Sequence, residues 1–186
     1  MAALTLVVMG GGGWALIALV QERPVVDLLL GPWPWHEQIA GGLALGLGIA
    51  ALAWRIISRP AMQVIRARYA VIVTALMPSI MLQMTVSLCA GVGEELLFRG
   101  ALQYWLGVPL AAIFFVAIHG YLDPRDRAML GYGIYMTLAI CGVGWAADSA
   151  GLLLAMTAHA VIDWVLIRRL AGSATSIVDD PVGKDP

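Results

Sequence analysis

Residues 69–99 read YAVIVTALMPSIMLQMTVSLCAGVGEELLFR, and this stretch decides the class of fold. Its charged side chains, Glu94, Glu95 and Arg99, all lie near its end, and the next formal charge along the chain is Asp123. Long apolar runs without two-residue alternation predict membrane helices and not the strands of a barrel. Two adjacent carboxylates inside such a run cost roughly 2.5–3.5 kcal/mol each on insertion scales, which predicts a functional role for them.

The composition of the whole chain agrees with this interpretation. The chain has 186 residues, of which 61% are hydrophobic and 12% are charged, whereas soluble domains have about 25% charged residues. We therefore expect an all-α protein, a polytopic transmembrane helical bundle of six to eight helical segments. It would be a multi-pass protein of the cell membrane, in contact with membrane lipids. A net charge of −1 gives no reason to expect a nucleic acid partner.

The chain divides into three parts. Residues 1–68 are predicted to form two N-terminal transmembrane helices and a basic loop, and residues 69–170 a helical core that carries the chemistry. Residues 171–186 form a polar tail that we expect to be disordered. Arginines cluster in the loop, and the positive-inside tendency places them in the cytoplasm. They are Arg55, Arg59, Arg66 and Arg68.

The helix boundaries near the acidic pair are set by proline and glycine. Pro78 predicts a kink in a helix over residues 69–90, and Gly91 and Gly93 predict a break after it. The glutamates would then open a new helix over residues 94–106. If all five segments between the two basic ends crossed the membrane, those ends would lie on opposite sides. One segment is therefore predicted to be partial or re-entrant, and the candidates are residues 94–106 and 108–121, which are short.

Helical spacing assigns different jobs to the two glutamates. Glu95 and Arg99 are at positions i and i+4, so they share a face and form an ion pair that supports the site. Glu94 is rotated by about 100° from Glu95 and is left free to face a cavity. An alternative is that the three residues form one structural ion cluster.

Three further polar residues could join Glu94. His119 lies in an apolar helix, where a single histidine is more often a satisfied core residue than a catalyst. His159 and Asp163 are at i and i+4 on the last helix. If the three helices converge, these groups form a polar pocket in an apolar bundle, which is a candidate functional site.

Such a pocket has the chemistry for attack by water on an amide. A desolvated carboxylate can act as the general base, and histidines can orient the water and stabilise the oxyanion. The chain has no G-x-S-x-G motif and no H-E-x-x-H motif. We therefore predict no cofactor and no metal, while a zinc site of two histidines and a carboxylate stays open as an alternative.

These residues also resemble a known family pattern. E-E-x-x-x-R at residues 94–99, F-x-x-x-H at 115–119 and H-x-x-x-D at 159–163 are similar, in this order, to the motifs of the CPBP family. This family contains the CAAX proteases and bacteriocin-processing enzymes, is also called Abi, and includes the type II CAAX prenyl endopeptidases. The resemblance covers about residues 80–170.

The resemblance implies a glutamate-type intramembrane endopeptidase, a type often labelled a metalloprotease, that acts on a membrane-associated or lipidated peptide or protein. Carried over, Glu94 would activate water with His119, and His159 and Asp163 would line the oxyanion side. Glu95 and Arg99 would support the site. Asp163 stands where many members have asparagine, and an ionised aspartate cannot donate to an oxyanion. It would therefore be protonated or would orient His159.

Two other functions fit the same residues. The first is a non-catalytic membrane scaffold or bacteriocin-immunity protein, in which the polar cluster serves folding or partner binding. The second is a proton-coupled carrier that uses the carboxylates as a relay. The sequence shows no pair of inverted halves with broken helices, which argues against the carrier.

Overall fold

The protein is helical almost throughout. The computed structural model describes the backbone of residues 4–178 and the side chains of residues 4–173. In chain order the helices are α1 (Thr5–Val20), α2 (Val25–Leu30), α3 (Trp35–Ile57), α4 (Gln63–Leu76), α5 (Ile80–Glu95), α6 (Gln103–Ile118), α7 (Arg127–Ala150) and α8 (Leu152–Val178). A π-helical segment, Leu96–Leu102, joins α5 to α6 without a break, and a short 3₁₀ turn, Pro60–Met62, precedes α4.

The prediction of an all-α bundle is confirmed, since residues 4–178 contain no strand. Within the described residues, three helical stretches are long and apolar enough to cross a membrane: α3, the continuous stretch Ile80–Ile118, and α7. Many large apolar side chains face outward, as expected of a surface that contacts lipid and not water. Examples are Leu47, Leu88, Leu110, Leu138 and Trp145.

The glutamates do not open a new helix, so that prediction was wrong. α5 runs unbroken through Gly91 and Gly93 to Glu95 and continues into the π-helical segment. The two glycines serve close packing instead. A Cβ atom on Gly91 would lie 2.8 Å from the Met156 carbonyl oxygen, and one on Gly93 would lie 2.9 Å from that of Thr5. Backbones approach this closely only where a side chain is absent.

The breaks in this region lie on either side of the acidic pair. Residues 77–79 separate α4 from α5, so Pro78 stands between two helices and does not kink one. Gly107 interrupts α6 with φ 67° and ψ 168°, a conformation that glycine adopts without strain. The predicted boundary between residues 106 and 108 is therefore confirmed.

The last helix brings both basic segments to one end of the bundle. α3 and α8 pack side by side, and a Cβ atom on Gly46 would lie 2.6 Å from the Ala158 carbonyl oxygen. Further along the same pair, the Arg169 guanidinium carbon lies 5.5 Å from the centre of a Trp54 ring. We call this end of the bundle, which holds Arg55, Arg59, Arg168 and Arg169, the basic end.

Of the two candidates predicted for a partial segment, residues 94–106 are not a separate helix, and the candidate 108–121 stays a prediction. α4 follows the turn at the basic end, and its Thr74 lines a cavity together with Arg168 of α8. α5 then starts beside Arg168, whose Nη1 donates to the Gln83 side-chain oxygen at 3.4 Å. Residues 94–106 continue α5 and do not form a separate span.

The C-terminal helix is longer than predicted. α8 continues to Val178, whereas the sequence pattern ended it at about Leu170. Residues 179–186 of the predicted polar tail lie outside the described residues. The division of the chain at residues 68 and 170 stays a prediction, although α1 packs directly on α5 through Gly10, whose Cβ would lie 3.3 Å from the Cα of Gly93.

Candidate active site

The polar residues singled out in the sequence meet in the middle of the bundle. Glu94 and Glu95 end α5, His119 follows the last residue of α6, and His159 and Asp163 lie on α8. The packing of α5 against α8 through Gly91 brings the first and third of these elements together. A polar cluster therefore forms from residues that are far apart in the chain.

Glu95 is a buried residue that contacts two other members of this cluster. Its side chain is fully buried, and its Oε1 lies 3.0 Å from Arg99 Nη1, so the predicted i, i+4 pair is present. The two Nη atoms of Arg99 make no aligned hydrogen bond with the described residues, which makes this contact an electrostatic one. The same Oε1 accepts a hydrogen bond from His159 Nδ1 at 2.7 Å. Glu95 thus holds Arg99 and His159 together.

The link between Glu95 and His159 was missed by the sequence reasoning. The two residues are 64 positions apart, so no helical spacing connects them. The signal that was available is Gly91, four residues before Glu95. A glycine there allows α8 to approach until a Cβ on it would lie 2.9 Å from Ala160, the neighbour of His159.

Glu94 carries the unpaired carboxylate. Its Oε2 lies 3.6 Å from His119 Nε2 and 4.0 Å from His159 Nε2. This oxygen makes no hydrogen bond with any described residue, although it is buried. The geometry agrees with the expectation that Glu94 and Glu95 have different neighbours, and an open space in front of Glu94 stays a prediction. A single water molecule at hydrogen-bond distance from Glu94 could also touch either imidazole.

The orientation of His119 follows from its other nitrogen. Nδ1 lies 2.7 Å from the Phe115 carbonyl oxygen, which can only accept, so Nδ1 carries the hydrogen and donates. Nε2 is therefore the nitrogen that faces Glu94. The side chain of His119 is 31% exposed, whereas that of His159 is 6% exposed. His119 is the imidazole on the open side of the site.

Phe115 holds the site together from the apolar side. Its ring centre lies 4.4 Å from that of His119 and 5.5 Å from that of His159. The Arg99 guanidinium carbon lies 4.6 Å from the same ring, within cation–π range. In the sequence Phe115 stood out only as part of the F-x-x-x-H motif, and its contacts assign it a positioning role.

Asp163 lies at the edge of the cluster. Its Oδ2 is 3.6 Å from His159 Nε2, beyond hydrogen-bond distance, and its side chain is 32% exposed. The hydrogen bond that orients His159 comes from Glu95 and not from Asp163. Asp163 therefore does not hold this ring by a hydrogen bond. It lies beside Nε2, the nitrogen of His159 that is free to contact a substrate.

A cleft leads from this cluster to the basic end. It has a volume of about 230 Å³, and His119 and Asp163 lie on its wall. Tyr69, Tyr121 and Tyr132 also line it, and Arg66 contributes the remaining charge. The rest of the lining is aliphatic: Ile57, Met62, Val73, Met129, Leu166 and Leu170 are among these residues. An apolar cleft with a few convergent polar groups is the usual form of a ligand site.

The next feature is whether the side chains of the site are arranged to bind a metal ion. No group of three His, Cys, Asp or Glu side chains within the described part of the chain is arranged to hold a metal ion. The alternative of a zinc site with two histidines and a carboxylate stays a prediction, to be tested with a metal chelator. What the arrangement provides is an unpaired carboxylate beside two imidazoles, which suits proton transfer to and from water.

Comparison with known proteins agrees with the site. Residues 76–165 match the family model described as "Type II CAAX prenyl endopeptidase Rce1-like". The matched segment is just under half of the chain and includes every residue of the cluster. No curated protein and no solved structure matches the chain.

The match confirms the predicted family. The match over residues 76–165 supports the CPBP, or CAAX protease-like, family. This is a protease family, and together with the apolar helices the match supports a membrane protein of the protease class.

Proposed function

We propose that the protein is a glutamate-type intramembrane endopeptidase, a multi-pass protein of the cell membrane. It hydrolyses a peptide bond in a membrane-associated or lipidated peptide or protein, with Glu94 as the catalytic base. The observation that carries the proposal is the unpaired Oε2 of Glu94, buried and 3.6–4.0 Å from the Nε2 atoms of His119 and His159. A buried carboxylate oxygen that lies beside two imidazoles without a direct hydrogen bond is well placed for proton transfer through a water molecule.

The first step is attack by water. Glu94 Oε2 takes a proton as the water oxygen bonds to the carbonyl carbon of the scissile peptide, and the carbonyl electron pair moves to its oxygen. His119 Nε2 helps to hold the water, because its ring is fixed by the bond from Nδ1 to Phe115. The tetrahedral intermediate then collapses. The C–N bond breaks, and the proton held by Glu94 passes to the leaving nitrogen.

The oxyanion is assigned to the side of His159. Glu95 accepts from Nδ1, so Nε2 is the nitrogen that can donate a hydrogen bond to the developing charge when the ring carries a proton there. Asp163 lies 3.6 Å from this nitrogen and is half-exposed to the cleft. In its protonated form Asp163 donates the second hydrogen bond, and in its ionised form it favours the proton on His159.

The cleft sets the side from which the substrate enters. It starts at the cluster and is lined near the basic end by Ile57 and Met62. Because arginine-rich loops lie in the cytoplasm, we assign the mouth of the cleft to the cytoplasmic side. A peptide attached to the inner leaflet would reach Glu94 without crossing the membrane.

The alternative is a non-catalytic membrane scaffold or bacteriocin-immunity protein. The buried contacts of Glu95 with Arg99 and His159 would serve folding in either case. Glu94 distinguishes the two functions, because its Oε2 lies beside the Nε2 atoms of both histidines and would take part in cleavage only in an enzyme.

Reconstitution tests the proposal. We expect the full chain in lipid vesicles to cleave a membrane-anchored peptide with a fluorophore and a quencher on either side of the scissile region, while empty vesicles do not. Peptides that accumulate in membranes with Glu94→Gln protein would supply the sequence of this reporter. A metal chelator should leave the rate unchanged. Binding of the peptides without any cleavage would support the scaffold, and loss of activity with chelator that zinc restores would support the metal site.

A further inference from the structure

A second cavity lies at the end of the bundle opposite the basic end. It has a volume of about 250 Å³ and shares no lining residue with the cleft beside His119. α3 and α8 both start at this end, where the Trp33 backbone N–H donates to the Ala150 carbonyl oxygen at 3.2 Å. The charged residues that line the second cavity are Arg23, Asp27, Arg99 and Asp148.

Arg99 is the buried charge of the second cavity. Its side chain is 2% exposed, whereas Asp27 and Asp148 are exposed residues on the open side. Arg99 Nη1 lies 3.0 Å from Glu95, but neither Nη atom makes a hydrogen bond with a described residue. A guanidinium has five N–H donors, and buried donors are normally satisfied. A ligand with an acceptor group is therefore expected beside Arg99 in this cavity.

The cavity also carries unpaired charges of both signs. The Nη1 of Arg23 donates to the Gln21 side-chain oxygen at 3.2 Å, which leaves its positive charge without a carboxylate. Asp148 accepts at 2.8 Å from the neutral side chain of Gln103. Among the described residues, no ion pair joins either aspartate of the cavity to either arginine.

This arrangement favours a zwitterion. A ligand with a single charge would be attracted by one pair of side chains and repelled by the other, whereas a zwitterion is attracted by both. Burial sets its direction. The anionic group would lie inside, at Arg99, and the cationic group would lie on the open side, at Asp27 and Asp148.

Exposed tryptophans place the second cavity at the level of the lipid headgroups. Trp33 and Trp35 lie at the start of α3, and Trp145 is three residues before Asp148 on α7. Tryptophan is enriched at the interface between membrane and water. A phospholipid headgroup is therefore the zwitterion within reach, and its phosphate is an acceptor that guanidinium groups bind well.

We propose that the second cavity binds a phosphoethanolamine group, the headgroup of a zwitterionic phospholipid. The phosphate accepts hydrogen bonds from Arg99 and Arg23, and the primary ammonium donates to Asp27 and Asp148. A trimethylammonium group has no N–H donor for these carboxylates, and a phosphoglycerol headgroup has no cation. The inference does not depend on peptide cleavage, because lipid binding at this cavity is measured without turnover.

Lipid binding to the detergent-solubilised full chain tests the inference. The probes are phosphatidylethanolamine, phosphatidylcholine and phosphatidylglycerol with identical acyl chains, and native mass spectrometry gives the dissociation constant of each. We expect phosphatidylethanolamine to bind about ten-fold more tightly than the other two, as a charge-assisted hydrogen bond contributes. Equal binding of the three lipids would overturn the inference.

A double variant identifies the groups that read the ammonium. Asp27→Asn combined with Asp148→Asn keeps the side-chain shapes but leaves the cavity with positive charges only. We expect the preference for phosphatidylethanolamine over phosphatidylcholine to disappear and phosphatidylglycerol to bind most tightly. Arg23→Gln should weaken all three lipids to the same degree, since each carries a phosphate. An unchanged preference in the double variant would place the lipid elsewhere on the protein and contradict the proposal.

Two exposed residues in the turn before α7 provide the controls. Asp123→Asn and Arg125→Gln make the same changes of charge outside the second cavity and should leave the lipid preference intact. Thermal unfolding of each variant shows whether lost binding is lost folding. Free phosphoethanolamine is the last probe. If it displaces the lipid at an equal concentration, the cavity serves a soluble zwitterion and the lipid assignment is wrong.

Discussion

Glu94→Gln is expected to lower the rate of peptide cleavage by about 10²–10⁴-fold, the usual contribution of a general base. Glutamine has the shape of glutamate and can still hydrogen-bond to a water molecule, but it cannot take its proton. The neighbouring Glu95 cannot replace Glu94, because it is already engaged by Arg99 and His159. The measurement is the initial rate of reporter cleavage in lipid vesicles.

The substitution should leave the fold intact. Glu94 Oε2 makes no hydrogen bond that the amide would break, so the thermal unfolding of the variant should match that of the parent protein. Glu37→Gln is the control, since Glu37 is exposed in the first turn of α3 and far from the cluster in the chain. Cleavage by Glu94→Gln at the rate of this control would remove Glu94 from the reaction.

Arg99→Met is expected to destabilise the protein by about 3–5 kcal/mol, the cost of leaving one partner of a buried ion pair without the other. The side chain of Arg99 is 2% exposed and that of Glu95 is fully buried. The substitution also removes the guanidinium that lies over the Phe115 ring. Because Phe115 and Glu95 position both histidines, activity should fall together with the free energy of unfolding.

A double variant separates charge from packing. Glu95→Gln combined with Arg99→Met removes both charges, so it should be more stable than Arg99→Met alone. Activity should stay low in the double variant, because the carboxylate that orients His159 is gone. Arg68→Met, an exposed change on α4, provides the baseline in the same denaturation assay. If Arg99→Met were no less stable than Arg68→Met, the buried pair would have no role in the fold.

The apolar membrane helices and the ion pair of Glu95 with Arg99 could be predicted from the sequence because both are local properties. An apolar helix depends on the residues of one segment, and the ion pair depends on the i, i+4 spacing within a single helix. The break at Gly107 could also be predicted, since it depends on one residue and its neighbours. These features do not require knowledge of which helices are adjacent.

The role of Gly91 and Gly93 could not be predicted in the same way. A glycine in a sequence weakens an isolated helix, yet here both allow α8 and α1 to contact α5 closely. The hydrogen bond from His159 to Glu95 depends on that contact, so it cannot be predicted without knowing that α5 and α8 are adjacent.

The central claim is that Glu94 activates a water molecule that attacks the substrate directly. The most direct measurement is one turnover in water enriched in heavy oxygen, followed by mass spectrometry of the products and of the enzyme. The account predicts one heavy oxygen atom in the new carboxyl group of the product and none in the enzyme peptide that contains Glu94. Heavy oxygen in Glu94 would show that this carboxylate attacks the substrate itself, and an unlabelled, uncleaved reporter would show that the cluster does not catalyse hydrolysis.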